Sequence, residues 1–230
     1  MESLKNDRTT SRTKQTYIVA TRESKETRIK VELGLFRGPI SVDTGIGFLD
    51  HMLTSLACHA GWSLALECEG DRVVDDHHSV EDCAITLGIA LREAIVERGA
   101  IARFGYAYAP LDESLARAVV DVSGRPFCDC DLQLEREAIG ALATENIGHF
   151  FASLAANAGL TLHVDVLKGS NDHHKAEAAF KALALALREA LTPAAAKASA
   201  ADAENVPAST KGTTVIKVTK REKAGEGKTE

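Results

Sequence analysis

The chain has 230 residues, 45% of them hydrophobic, and is therefore long enough to bury a sizeable core. Its formal net charge of -6 argues against a nucleic-acid partner, because binding along a phosphate backbone requires a clear surplus of basic residues. No apolar run approaches the roughly 20 residues of a membrane-spanning helix, and no hydrophobic signal segment follows the start, so we expect a cytoplasmic protein with no membrane partner.

The first half of the predicted fold, residues 26–100, begins with an alternating pattern. Hydrophobic and charged side chains alternate from Thr27 to Leu35, which predicts a half-buried strand. A short apolar run from Trp62 to Cys68 predicts a second, buried strand. Apolar residues at helical spacing predict helices from about Phe48 to Ala60 and from about Ser79 to Glu97.

The second half, residues 101–192, opens with a connector that extends to Pro110. A strand from Leu115 to Val122 is followed by Gly124-Arg125-Pro126 and by a second strand that ends at Leu134, and this arrangement predicts a hairpin. The remaining predicted elements are a helix from Thr144 to Ala158, a strand from Leu160 to Leu167 and a helix from His173 to Leu191.

Two terminal segments flank these halves. Residues 1–25 are rich in Ser, Thr, Arg and Lys and are interpreted as a flexible N-terminal arm. Pro193 stops the last helix, so residues 193–230 form a C-terminal extension. The extension carries one motif, Pro207-Ala208-Ser209-Thr210-Lys211-Gly212, and ends in a charged, Gly-containing tail that we expect to be disordered.

A short segment with two adjacent histidines occurs twice. Asp76-His77-His78-Ser79-Val80-Glu81 returns as Asp172-His173-His174-Lys175-Ala176-Glu177. On a helix, spacings of i to i+4 and i to i+3 place the glutamate under both imidazoles, one turn further on. Two imidazoles and a carboxylate are the donor set for Mn, Fe, Zn or Ni, and two copies of it suggest two metal ions.

The repeat extends beyond the double histidines. The segment that begins at His51 aligns with the one that begins at His149, so each half carries a helix-borne histidine, a strand and a double-histidine helix. The predicted fold is a two-layer α/β structure of two pseudo-twofold-related halves. The candidate metal ligands, which suffice for two octahedral ions with open positions, are His51, His77, His78, Glu81, His149, His173, His174 and Glu177.

Several cations indicate an anionic substrate. Lys181 shares a helix face with His173 and Glu177, and a cation beside a metal site would repel the ions unless an anion lay between them. The repeat breaks at this point, because the equivalent residue of the first half is Ile85. Further candidates for anion binding, all in turn-like segments, are Arg103, Arg125, Ser209 and Lys211.

Two functions are compatible with these residues taken alone. A dinuclear metallohydrolase that acts on a phosphorylated small molecule would use the same donors and an anionic substrate, and it ranks first. A non-enzymatic metal-binding oligomer would account for the histidines but would leave the cations without a role.

Three segments together resemble the signature segments of the imidazoleglycerol-phosphate dehydratase family. They are Thr44-Gly45-Ile46-Gly47-Phe48-Leu49-Asp50-His51-Met52, the segment from Asp76 to Asp82, and the segment from Asn171 to Glu177. The similarity extends over about residues 20–212. It includes Arg103-Phe104-Gly105, Pro110-Leu111-Asp112-Glu113, Arg125-Pro126 and Ser209-Thr210-Lys211-Gly212.

The resemblance implies a hydro-lyase that converts D-erythro-imidazole glycerol phosphate to imidazole acetol phosphate and water in histidine biosynthesis. It implies two Mn²⁺ ions per active site, held by the eight candidate ligands and binding the substrate imidazole as imidazolate. The catalytic candidates are then Glu26, Glu177 and His51, with Glu26 or Glu177 as the proton shuttle. The substrate-binding candidates are Glu26, Arg103, Arg125, Lys181, Ser209 and Lys211.

The resemblance also implies a particular fold and assembly. The family fold consists of internally duplicated left-handed βαβ units and is similar to the second domain of ribosomal protein S5. Its subunits form a homo-oligomer, a 24-mer, with active sites at subunit interfaces.

Overall fold

The structure is a computed structural model that describes residues 15–194 and, for the backbone alone, residues 218–222. Ser209 and Lys211, two candidate substrate-binding residues, lie outside the described residues. The elements of the first half are β1 (Thr16–Glu23), β2 (Thr27–Gly34), β3 (Ile40–Asp43), α1 (Gly47–Ala60), β4 (Ser63–Gly70) and α2 (His77–Arg98). Those that follow are β5 (Phe104–Leu111), β6 (Ser114–Asp121), β7 (Phe127–Asp131), β8 (Ala138–Ile139), β9 (Leu142–Ala143), α3 (Thr144–Ala158), β10 (Thr161–Lys168), α4 (Asp172–Ala190) and β11 (Val218–Glu222).

Two sheets form the frame of the molecule. The first has the strand order β11-β1-β2-β4-β3 and the second the order β5-β6-β10-β7, while β8 and β9 form a separate two-stranded ribbon. Apart from β11, the two orders are equivalent, and each ends in a parallel pair, β3 with β4 and β7 with β10. One helix, α1 or α3, joins the strands of each parallel pair. These shared features confirm the predicted duplication of an α/β fold with βαβ connections.

The four helices of residues 15–194 lie between the two sheets. α1 and α2 contact strands of the first sheet, α3 and α4 contact strands of the second, and the helices of different halves meet as the pairs α1–α4 and α2–α3. Gly88 allows α2 and α3 to approach closely, because a Cβ at this position would lie 2.8 Å from the Asn157 Cβ and 2.9 Å from the Leu154 carbonyl oxygen. The buried residues of both halves form one continuous core. No helix in residues 15–194 is long and apolar enough to cross a membrane.

The hairpin predicted between Leu115 and Leu134 is wrong in its choice of partner strand. β6 pairs with β5, whereas β7 lies on the far side of β10 and runs parallel to it. After β6, the Gly124 amide donates to the Gly159 carbonyl and the Phe127 amide donates to the Leu160 carbonyl. These long-range backbone hydrogen bonds place the chain beside β10, and no local pattern encodes them.

β5 occupies most of the predicted connector. Gly105 and Pro110 are residues that usually disfavour strands, and Tyr106 and Tyr108 alternate with small residues instead of large apolar ones. An edge strand tolerates both features, and in the described part of the chain β5 has β6 as its one neighbour. The sequence pattern therefore did not predict a strand at these residues.

Part of each predicted terminal segment is also a strand. Residues 16–23 of the predicted arm form β1, in which Ile18 and Ala20 are buried against the core. Residues 218–222 of the predicted disordered tail form β11, which pairs antiparallel with β1. The exposed residues at the end of β1 are polar and charged, a composition also typical of a flexible segment, which is why the sequence led to the wrong assignment for residues 16–23.

Gly105 is the point of closest contact between β5 and α4. A Cβ on Gly105 would overlap the Ala186 carbonyl oxygen and lie 2.6 Å from the Ala190 amide nitrogen, and these backbone atoms cannot rotate away. We expect Gly105→Ala to lower the free energy of unfolding in urea by about 3 kcal/mol, at the upper end of the range for overpacking. Gly148→Ala in α3, where a Cβ meets nothing within 4 Å, should be neutral or stabilising by up to about 1 kcal/mol. Equal losses in the two variants would contradict this packing argument.

Candidate active site

Six of the eight candidate ligands form two groups of three. In one group, His51, His173 and Glu177 each offer a ligand atom, and these atoms lie within 4.8 Å of one another. We call this group the α1–α4 triad. The α2–α3 triad consists of His77, Glu81 and His149 and meets the same distance criterion. Each triad contains two imidazoles and one carboxylate, the donor types that the sequence predicted, but the two imidazoles come from different helices and not from one adjacent pair.

The α1–α4 triad converges on one carboxylate oxygen. His51 Nε2 lies 3.1 Å and His173 Nε2 lies 3.4 Å from Oε2 of Glu177. The other oxygen of Glu177 is 2.7 Å from Lys181 Nζ. Burial would raise the pKa of Glu177, but the hydrogen bonds and charges of Lys181 and His51 outweigh it, so the pKa is lowered and the carboxylate stays ionised. The ring of Phe48 packs against that of His173 with centroids 4.9 Å apart.

The α2–α3 triad has a different arrangement of neighbours. His149 Nε2 lies 3.1 Å from Glu81 Oε1, and the rings of His77 and His149 are stacked with centroids 4.8 Å apart. His77 Nδ1 lies 3.0 Å from the side-chain oxygen of Asn146. Asn146 precedes His149 by three residues, the position that Phe48 occupies before His51. The two triads are therefore equivalent in ligands but not in the residues around them.

Each triad combines the two halves of the chain. His51 on α1 meets the histidine and glutamate of α4, and His149 on α3 meets those of α2. The spacing of four residues puts one histidine of each pair on the same helix face as its glutamate, and the helix pairing brings the lone histidine opposite. The eight ligands are thus not gathered into one site within a single chain: His78 and His174 lie outside both triads.

His78 and His174 are held by carboxylates of their own half. Nδ1 of His78 is 3.1 Å from both oxygens of Asp71, and Nδ1 of His174 is 2.7 Å from Glu113 Oε2. These hydrogen bonds are the main cause of the raised pKa of each histidine. A carboxylate at Nδ1 fixes the ring orientation and leaves Nε2 as the donor atom for a metal. Nε2 of His78 lies 3.9 Å from Glu26 Oε1.

Sequence reasoning missed Asp71, Glu113 and Asn146 as partners of the histidines. Glu113 lies in the Pro-Leu-Asp-Glu segment that forms part of the family resemblance, and Asp71 follows Gly70 in a loop, so each had a weak sequence signal. Asn146 had none, because its contact with His77 spans 69 residues of sequence.

The candidate phosphate-binding residues lie in two places. Arg103 pairs with Asp121, with Nε 2.7 Å from Oδ1, and the Arg125 guanidinium lies 3.8 Å from the same carboxylate, so β6 brings these two cations together. Arg125 is largely exposed. Lys181 lies beside the α1–α4 triad through Glu177. The remaining two candidates, Ser209 and Lys211, are not among the described residues.

Comparisons with known proteins agree on one family. A family model described as imidazoleglycerol-phosphate dehydratase matches residues 44–187. Proteins of that name from Candida glabrata and Neurospora crassa are 62% identical over 154 residues and 58% identical over 174 residues; the alignments cover 67% and 76% of this chain and 73% of each relative. The crystal structure of that enzyme from Staphylococcus aureus is 40% identical, covers 76% of this chain and 99% of its own, and has a TM-score of 0.70.

Proposed function

This chain belongs to the imidazoleglycerol-phosphate dehydratase family of hydro-lyases, and we propose that it removes water from D-erythro-imidazole glycerol phosphate to give imidazole acetol phosphate in histidine biosynthesis. The observation that carries the proposal is the pair of triads, each assembled from both halves of the chain. All eight candidate ligands lie within the residues that the family model matches.

The donor set of the triads fits Mn²⁺. Two imidazole nitrogens and a carboxylate oxygen are donors of intermediate to hard character, and neither triad contains a cysteine, as a tetrahedral zinc site often would. We propose that each triad supplies ligands to one of two Mn²⁺ ions per active site. The bound ions would act as Lewis acids that stabilise the substrate imidazole as imidazolate.

An octahedral ion needs more donors than a triad provides. His78 and His174 are oriented by carboxylates at Nδ1, lie outside both triads, and are less than one-third exposed. We propose that they complete the metal sites of neighbouring copies in a homo-oligomer, a 24-mer, so that active sites lie at subunit interfaces.

This assembly should depend on the metal. Treatment with a chelator is expected to dissociate the large particle into smaller species, because each ion would join ligands of different copies. Size-exclusion chromatography with light scattering before and after chelation, and again after Mn²⁺ is returned, measures the change. A large particle that persists without bound metal would contradict metal-dependent assembly.

The proposed proton shuttle is Glu26. The hydroxyl leaves from the carbon attached to the imidazole ring, and the proton is removed from the next carbon of the side chain, which no carbonyl acidifies, so a positioned base is required. Glu177 is engaged by Lys181, His51 and His173, and its lowered pKa suits a ligand better than a base. The side chain of Glu26 is about half exposed, and its Oε1 lies 3.9 Å from Nε2 of His78, the ring nitrogen that Asp71 does not hold. His51 acts in the proposed reaction as a ligand that holds the substrate-binding ion.

The substrate phosphate would be bound by cationic side chains. Lys181 lies beside one triad, and the repeat aligns it with Ile85 in the other half, so a substrate with a phosphate at one end fits this asymmetry. Arg103 and Arg125 converge at Asp121 and offer a second cationic group. We propose that these three residues bind the phosphate together with Ser209 and Lys211.

The decisive experiment is an assay with imidazole glycerol phosphate and added Mn²⁺. We expect the absorbance of the enolised keto product to rise with Mn²⁺ and to remain at background after chelation. Release of inorganic phosphate from the same substrate would instead favour the dinuclear metallohydrolase. Bound metal without any turnover would favour the non-enzymatic metal-binding oligomer.

A further inference from the structure

Asp82 follows the candidate ligand Glu81 on α2, but its side chain is buried and serves a different contact. It is 4% exposed. The Thr27 hydroxyl donates to Oδ2 of Asp82 at 2.5 Å, and Arg22 forms an ion pair with Asp82, with Nε 2.8 Å from Oδ1. Arg22 lies near the end of β1 and Thr27 begins β2. One carboxylate on the metal-binding helix therefore holds both ends of the β1–β2 turn.

The β1–β2 turn carries Glu26. Within it, the amides of Glu26 and Thr27 donate to the Ser24 hydroxyl at 3.1 and 3.0 Å. The Glu26 carbonyl accepts from the Asp71 amide at 3.0 Å. Since the Asp71 side chain also holds His78, the backbone of Glu26 is fixed on one side by the loop that orients His78 and on the other by Asp82.

The duplicated half shows that the fold does not need this carboxylate. The repeat that aligns Glu81 with Glu177 aligns Asp82 with Ala178, and the second half has the same strand order. Its equivalent turn, between β5 and β6, uses Glu113 to hold His174 and leads into Ser114. Burying a carboxylate is costly unless it is fully hydrogen-bonded, and at this position of the repeat a carboxylate is present only in the half that carries Glu26.

We propose that Asp82 is a positioning residue that holds the β1–β2 turn against α2, so that the Glu26 carboxylate stays beside His78. The proposal rests on the proposed function, in which Glu26 moves the proton. It predicts that loss of the contacts of Asp82 with Arg22 or Thr27 lowers the rate of the chemical step without removing metal or weakening substrate binding.

Three variants remove the contacts between Asp82 and the β1–β2 turn in different ways. Asp82→Asn removes the charge of the carboxylate. Arg22→Met removes the guanidinium group on the surface side of that carboxylate, and Thr27→Val removes the hydroxyl at nearly constant side-chain volume. We expect each to lower kcat by about 10- to 100-fold, because small misplacements of a catalytic group have effects of this size. We expect KM and the Mn²⁺ content per chain to stay within about 2-fold of the wild type, since Asp82 lies in neither triad. Amide exchange of residues 24–27 and 71 should accelerate in all three.

A double-mutant cycle with Glu26→Gln tests whether Asp82 acts through Glu26. If it does, Asp82→Asn should change the residual kcat of the Glu26→Gln enzyme by less than about 2-fold, although it costs about 10- to 100-fold in the wild type. Thr86→Val is the matched control: Thr86 is buried one turn further along α2 and donates to the Asp82 backbone carbonyl, so its loss affects stability but not the turn. Its kcat should be that of the wild type.

If the kcat losses of Asp82→Asn and Glu26→Gln multiply in the double variant, Asp82 acts independently of Glu26 and the proposal is overturned. Loss of Mn²⁺ from Asp82→Asn would also overturn it, because Asp82 would then act through Glu81. If Asp82→Asn fails to fold, Arg22→Met and Thr27→Val carry the same cycle. A wild-type enzyme that forms no product would overturn the proposed function itself, whereas an active wild type with multiplicative losses would overturn the role of Asp82 alone.

Discussion

Glu81→Gln and Glu177→Gln are each expected to lower the bound Mn²⁺ from two ions per chain to one and to reduce turnover by more than about 100-fold. Loss of a residue that only orients a ligand costs about 10- to 100-fold, so loss of a ligand should cost more. An amide keeps the shape of the carboxylate but carries no charge to hold the cation. The two triads share no residue, so damage to one should leave the other occupied.

Metal content measured by atomic emission, together with product absorbance, checks this prediction. Glu93→Gln is the matched control, because Glu93 is exposed on α2 and belongs to neither triad; it should retain both ions and full activity. Retention of two tightly bound ions in either triad variant would show that its glutamate is not a ligand. Loss of both ions from a single substitution would show that the two sites form only together.

A buried ion pair anchors the start of α4. Lys175 and Asp172 are each 3% exposed, and Lys175 Nζ lies 2.9 Å from Asp172 Oδ1 and 2.7 Å from the Gln133 carbonyl oxygen. Oδ2 of Asp172 accepts the amides of Glu135 and Arg136. Burial would raise the pKa of Asp172, but the Arg136 amide and Lys175 outweigh it and lower the pKa. The carboxylate therefore stabilises the fold at neutral pH, and this stabilisation is lost as the pH falls through the folded-state pKa.

Lys175→Met is expected to lower the free energy of unfolding by about 3–5 kcal/mol, because it leaves a buried carboxylate without its cation. Urea denaturation at fixed protein and metal concentrations measures the change. The exposed Lys30→Met on β2 should change stability by less than about 0.5 kcal/mol. Adding Asp172→Asn to Lys175→Met should restore part of the loss, since the stranded charge is removed. A Lys175→Met protein as stable as Lys30→Met would mean that water replaces the ammonium group.

Much of the site could be predicted because it is encoded locally. The spacing of His77 to Glu81, and of His173 to Glu177, places two donors on one helix face whatever the rest of the chain does. The helix predicted from Thr144 to Ala158 has those bounds in the structure, since its apolar periodicity is complete within one segment. The duplication could likewise be recognised from residues that recur in order.

Other parts of the site depend on contacts between distant segments. By spacing alone, the second histidine of each pair, His78 or His174, could lie over its glutamate as well as the first histidine does. In the structure these two histidines instead bind Asp71 and Glu113 and lie outside the triads. Sequence spacing lists possible partners on a helix but does not choose between them. That choice depends on which loop packs beside the helix.

The amino-acid sequence by itself determined that the chain is duplicated, which helices carry the histidines, and which donors each helix offers, because these follow from short periodic patterns. Only the tertiary structure decided that His51 joins α4 and His149 joins α2, since that depends on how the helices of the two halves face each other across Gly88 and the shared core. The same holds for β5, whose pairing with β6 is stabilised by backbone hydrogen bonds and not by its own side-chain pattern.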